Sequence, residues 1–178
     1  MNSNLSIAID ALNTGQPLVV RTETLYGIIA LASNKAAVKA VYEAKARNPM
    51  KQCIVLVASP SNVGEYGNLV AKYSDGHLPP SVIVPATSEP DWLLCGGKTV
   101  AYRITRDPFL AKLIASTGPV IAPSANPEGQ PPARTVAQAR DYFSDGVVYI
   151  DGGEVPASVQ ASRIIEVLLN GNVQEVRH

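Results

Sequence analysis

Short apolar runs of strand length alternate with helix-length amphipathic segments along nearly the whole chain, and Gly or Pro marks almost every join. That alternation constrains the fold more than any other feature, because strands and helices taken in turn build a sheet with helices packed on its faces. Strands are predicted at 18–22, 28–32, 54–57, 82–84, 100–104, 120–122 and 147–150. The run Ile54-Val55-Leu56-Val57 has no polar break, as a strand covered on both faces requires. A helix through Leu5, Ile9 and Leu12 is stopped by Gly15, and Asn34 caps a helix over 35–47 that Pro49 ends. Gly64 and Gly67 weaken a helix over 61–72, Asp107-Pro108 opens another to 114, and a third covers 135–143. The tail, 163–168 and 173–176 about Asn170-Gly171-Asn172, reads as a β-hairpin. Because that hairpin brings antiparallel pairing, the expected architecture is a single α/β domain over 1–178: a twisted mixed sheet with flanking helices.

Composition narrows the function. Apolar residues make up 46% and charged residues 17%, which excludes a disordered or tail-like chain. Fifteen basic residues balance fifteen acidic ones, which argues against a protein whose main task is coating nucleic acid. Cys53 and Cys95 fit no metal or redox spacing and read as reduced thiols. Met1-Asn2-Ser3-Asn4 carries no basic segment before a long apolar one, and no apolar run reaches the roughly 20 residues of a membrane span. A cytoplasmic protein without a leader is expected.

The chain has no GxxxxGK[ST], GxGxxG, HExxH or GxSxG motif and only two histidines, His77 and His178, so no Ser-His-Asp triad and no dedicated metal site is expected. Five other segments could carry chemistry. Arg21-Thr22-Glu23-Thr24-Leu25-Tyr26-Gly27 places hydroxyls, a carboxylate and a phenol on the turn after an apolar strand. Lys45, Arg47 and Lys51 put three cations at a helix end and the following loop. They either complement the helix dipole or grip phosphates where water is partly excluded. Ser124 and Asn126, held between Pro123 and Pro127, either cap their own turn or face a phosphate or adenine. Arg103, on the apolar strand Thr99-Val100-Ala101-Tyr102-Arg103-Ile104, is either a solvated edge residue or aimed at a carboxylate or phosphate. Ser162-Arg163 opens the terminal hairpin, where a solvated turn is the plain reading.

Taken in order, RTETLYG, KARNPMK, TVAYR, APSAN and ASRII resemble the Sua5/YciO/YrdC family in its short form, the threonylcarbamoyl-AMP synthases, across about 15–167. The resemblance implies a YrdC-like fold and an enzyme that joins L-threonine, bicarbonate and ATP into threonylcarbamoyl-adenylate with release of pyrophosphate. That product serves N6-threonylcarbamoyladenosine formation at position 37 of tRNAs reading ANN codons. By matching positions it implies catalytic roles for Lys45 and Arg47, and ATP contacts for Arg47, Lys51, Thr99, Ser124 and Asn126. It further implies threonine contacts for Thr22, Thr24, Tyr26, Arg103 and Ser162. Mg2+ is expected on the triphosphate. Transfer to tRNA through downstream threonylcarbamoyl-transfer proteins is the implied context, with no membrane.

The chain departs from the family pattern at Arg21 and Asn48, where proline is usual, at Arg163, where threonine is common, and at His77-Leu78-Pro79-Pro80-Ser81. The resemblance is to the short form, so the long form's C-terminal extension is not expected. Two rival readings are a YciO-like paralogue and an RNA-binding or ribosome-associated module using the same basic surface.

Overall fold

The computed structural model describes residues 3–76, 78–143, 145–168 and 172–177. Its strands are β1 (Leu18–Arg21), β2 (Tyr26–Leu31), β3 (Val55–Val57), β4 (Ser81–Pro85), β5 (Thr99–Ile104), β6 (Val120–Ile121), β7 (Val148–Ile150), β8 (Ile164–Val167) and β9 (Val173–Arg177). They form one sheet in the order β7-β1-β2-β6-β3-β5-β4-β8-β9. The pairs β1/β7, β3/β5 and β4/β8 are parallel and the remaining pairs antiparallel, so the sheet is mixed. The terminal hairpin is present as β8 and β9. Its Asn170-Gly171 turn, like His77 and His178, lies outside the described residues.

The helices are α1 (Ser3–Asn13), α2 (Lys35–Ala44), α3 (Gly67–Lys72), α4 (Asp91–Leu94), α5 (Pro108–Thr117) and α6 (Val136–Tyr142). Side-chain caps start three of them where the sequence indicates: Asn34 accepts from Ala37 N, Asp107 from Leu110 N and Thr135 from Gln138 N. The segment predicted as one weak helix instead divides into a 3-10 helix, Pro60–Tyr66, and α3. Inside the 3-10 helix the chain kinks at Gly64, whose φ of 69° leaves the helical region. Helix α4 was not predicted, since four residues are too few to show a period.

Strand alternation sorts the core into two layers. On one face Val19, Ile28, Ala30, Val55, Val57, Tyr102 and Ile104 pack with Val38 and Val41 of α2, Val70 of α3 and Ala139 of α6. On the other, Leu18, Val20, Ile29, Leu56 and Val120 meet Ala8 and Leu12 of α1 and Leu110, Leu113 and Ile114 of α5. Helices α1 and α5 pack over β7, β1, β2 and β3. Beyond β3 this second face opens, and Ile83, Ala101 and Ile164 are only half-buried there. No helix among the described residues is long and apolar enough to cross a membrane.

Candidate active site

The open part of the second face is a cleft of about 360 Å3. Its floor follows from strand alternation: Gly27 lies two residues before Ile29, Ile54 two before Leu56, and Ala122 and Ser124 continue the Val120 side. β6 is short, yet its pairing with β2 runs on, with Ile28 N donating to Pro123 O (3.0 Å) and Ala125 N to Tyr26 O (2.7 Å). A bridge pairs Gly27 with Ser124, which fixes the serine at the cleft.

One wall is the loop Thr22–Leu25 that joins β1 to β2. The Thr22 hydroxyl donates to Leu25 O (2.7 Å) and accepts from Thr24 N (3.2 Å), so it folds its own turn. Its single proton is thereby used. The 3.2 Å contact between the two hydroxyls therefore has Thr24 as donor, and the Thr24 oxygen keeps its lone pairs for a ligand N–H. Tyr26 lines the cleft, but its hydroxyl points away, donating to Gly153 O (2.8 Å) and accepting from Gly152 N (3.0 Å). Burial, opposed by the Gly152 amide, pushes that phenol above its ordinary value.

Glu23, to which the sequence assigns no separate role, ties this loop to the β5–α5 junction. Its Oε1 accepts from Thr105 Oγ1 (2.6 Å), Arg106 N (2.5 Å) and Asp107 N (3.1 Å). Its Oε2 lies 3.6 Å from Arg103 Nη2, and both side chains are nearly inaccessible. Burial raises the Glu23 carboxyl, but the Arg103 charge and the Thr105 and Arg106 donors more than offset this and hold it below 4.5. Arg103 is therefore a buried cation with an internal counter-charge, oriented along the cleft wall, and not a solvated edge residue.

The three cations of the KARNPMK segment have three different positions. At the end of α2, Ala46 takes a left-handed φ of 47°, with Ala46 N bonded to Glu43 O and Arg47 N to Tyr42 O. That reversal ends the helix three residues earlier than predicted and turns Arg47 back to the cleft. A left-handed alanine costs about 1–2 kcal/mol, of which glycine's greater chain entropy would return roughly half. Ala46→Gly is accordingly expected to raise stability by about 0.5–1 kcal/mol in urea unfolding, and a loss of stability would contradict this account of the turn.

Lys45 is only 2% exposed. Its ammonium donates to the carbonyls of Ser124 and Asn126 and so supports the Ser-x-Asn turn from behind. Burial first, then the Arg47 charge, pull it down to about 8. Arg47 lines the cleft, its Nε and Nη2 held by Lys51 O (3.1 Å) and Gln52 O (2.8 Å), and its Nη1 hydrogens carry no protein partner among the described residues. Lys51 is exposed, paired with Glu128, and is not among the residues that line the cleft. Glu128 also accepts from Asn48 N (2.6 Å), so it links the 48–51 loop to the 124–130 turn.

In that turn the Ser124 hydroxyl donates to Asn126 Oδ1 (2.6 Å), while Asn126 Nδ2 donates to Pro127 O (2.9 Å) and Gln130 O (2.7 Å). Ser124 lines the cleft and Asn126 does not. Asn126→Ala is therefore expected to cost about 1–3 kcal/mol of stability, whereas Ser124→Ala should leave stability within about 1 kcal/mol and lower activity per folded molecule. Melting curves read beside specific activity separate the two. Thr99 also lies off the cleft; its carbonyl accepts from Gln52 Nε2 (2.8 Å), and Gln52 is a lining residue. Ser162 completes the opposite wall, with its Oγ 3.5 Å from Ser81 Oγ. Of the positions singled out in the sequence, the fold thus gathers Thr22, Thr24, Tyr26, Arg47, Arg103, Ser124 and Ser162 about one cavity, with Lys45 and Asn126 directly behind it.

A cleft with one guanidinium offering unused donors, a second held against a carboxylate, and hydroxyls on its walls is chemically suited to a phosphorylated, polar ligand. The chain belongs to the Sua5/YciO/YrdC family, whose model, described as telomere recombination, matches residues 10–178. A threonylcarbamoyl-AMP synthase from Marinobacter nauticus is 29% identical over 92% of this chain and 91% of its own. The crystal structure of Pyrococcus abyssi Sua5 complexed with L-threonine superposes with a TM-score of 0.82 at 27% identity, covering 97% of this chain. The chain spans about half of that protein, 53%. Escherichia coli YciO, with a TM-score of 0.80 and 18% identity over 98% of this chain and 88% of its own, shares the fold.

Proposed function

We propose that this protein is a threonylcarbamoyl-AMP synthase that makes threonylcarbamoyl-adenylate from L-threonine, bicarbonate and ATP and releases pyrophosphate. The observation that carries the reading is the shared cavity: the unused Arg47 donors face the same space as Thr24, Arg103, Ser124 and Ser162. Relatives named for this activity cover nearly the whole chain, and one relative's structure holds L-threonine.

In this reading Arg47 grips the nucleotide phosphates, and Lys51 joins it by exchanging Glu128 for a phosphate oxygen. Ser124 hydrogen-bonds the nucleotide. Arg103 pairs with the threonine carboxylate through its planar fork while Glu23 keeps it in place. Thr24 accepts from the threonine amine side, and Ser162 closes over the amino acid. Lys45 and Asn126 act by holding the Ser124 turn, and Thr99 by anchoring Gln52. Threonine and bicarbonate condense to a carbamate with loss of water; a carbamate oxygen attacks the α-phosphorus, a new P–O bond forms, and the bond to pyrophosphate breaks. Such a step needs alignment and charge neutralisation more than a proton-shuttling histidine. Mg2+ carried by the triphosphate would neutralise its charge, and among the described residues no carboxylate cluster would be needed to hold it. The adenylate then passes to proteins that modify tRNA in the cytoplasm.

Arg47→Ala should weaken ATP binding by about 10- to 100-fold, the equivalent of about 1.5–3 kcal/mol for a charge-assisted contact, with little change in melting temperature. Calorimetric titration of ATP into both proteins tests this. Equal affinities would remove Arg47 from the phosphate site.

A further inference from the structure

Gln52 carries a polar atom that the synthase reading leaves unused. Its Nε2 donates to Leu94 O (2.7 Å) and Thr99 O (2.8 Å). Two carbonyls at one end of the amide fix its orientation, since the flipped form would set oxygen against both. Gly97 makes room for this arrangement, because a Cβ there would lie 2.8 Å from Nε2. The amide is thus clamped, with both hydrogens committed. Its Oε1 receives no hydrogen bond among the described residues, and Gln52 is one of the residues that line the cleft.

We infer that Gln52 is a specificity-determining residue whose Oε1 accepts a hydrogen bond from a ribose hydroxyl of the bound nucleotide; this rests on the cleft being the ATP site. A fixed acceptor cannot bind phosphate oxygens, which are acceptors too, so its partner is a donor on the ligand. The Arg47 guanidinium sits 2.8 Å from the main-chain carbonyl of Gln52 itself, so a phosphate held by Arg47 lies beside Gln52. Within one side chain's reach of that phosphate the nucleotide's donors are the sugar hydroxyls. The exocyclic amine stands at the far end of the base.

The test is calorimetric titration of ATP, 2′-deoxy-ATP, 3′-deoxy-ATP and GTP into wild type and Gln52→Leu. Wild type should bind ATP about 3- to 10-fold more tightly than at least one deoxy analogue, the range of one neutral hydrogen bond. Gln52→Leu should bind the three adenosine nucleotides alike. Equal binding of all three by wild type overturns the inference whether or not the variant folds. So does a variant that keeps the full ribose preference, or one that loses only its preference for ATP over GTP, which would place the acceptor on the base. Failure of wild type to bind ATP would instead overturn the nucleotide-site reading itself and this assignment with it.

Discussion

Glu23→Gln is expected to cost about 3 kcal/mol of stability, because it changes one face of a buried ion pair and little else. A glutamine oxygen can still accept from Thr105, Arg106 and Asp107, so the loop keeps its three anchors. The amide nitrogen, however, replaces Oε2 and turns donors toward the Arg103 guanidinium 3.6 Å away. A buried cation without a counter-charge is the costly outcome. The loss should depend on pH with a definite sign. Since the Glu23 carboxyl is held below its ordinary 4.5, its contribution is complete above that value and disappears as the pH falls through the folded-state value. The gap between wild type and Glu23→Gln should therefore be widest at neutral pH and close in acid. Urea unfolding at both pH values checks this; a gap below about 1 kcal/mol at neutral pH would show that the pair contributes nothing.

Lys45→Met should be as damaging for a different reason. Methionine fills the space of the apolar stem but leaves the Ser124 and Asn126 carbonyls without their donor. A buried unmade hydrogen bond costs about 1–3 kcal/mol, so a loss of roughly 2–4 kcal/mol is expected for the two together. Activity per folded molecule should also fall, because the Ser124 hydroxyl loses its support. Here too the pH dependence is signed. With Lys45 pulled down to about 8 against an ordinary 10.5, the unfolded chain binds more protons between those values. Wild type should gain stability from this group as the pH rises through that window, and Lys45→Met should lack the gain. A variant with wild-type stability and activity would contradict this supporting role for Lys45.

The sequence carried the fold wherever the signal was local. Asn34, Asp107 and Thr135 cap the helices they precede, and the apolar runs around Val19, Leu56 and Val120 are strands. Residues 26–27 were read as turn but belong to β2, since their pairing depends on Arg21 and on the distant segment around Ser124. The site was legible as a set of residue types and not as a geometry. Lys45, Arg47 and Lys51 look equivalent in sequence, yet one is buried, one lines the cleft and one is exposed and paired with Glu128. Glu23 and Gln52 went unassigned because their partners, Thr105 and Leu94, are remote in the chain.

The central claim is that this cleft makes an adenylate from threonine, and one measurement tests it most directly. Purified protein is incubated with ATP, bicarbonate and L-threonine, and the products are resolved by mass spectrometry while pyrophosphate is assayed. The account predicts threonylcarbamoyl-adenylate and pyrophosphate in equal amounts, both lost when threonine or bicarbonate is omitted and both strongly reduced in Arg47→Ala. Binding of ATP without any threonine-dependent pyrophosphate or adenylate would contradict it and favour a paralogue that shares the fold but not the reaction.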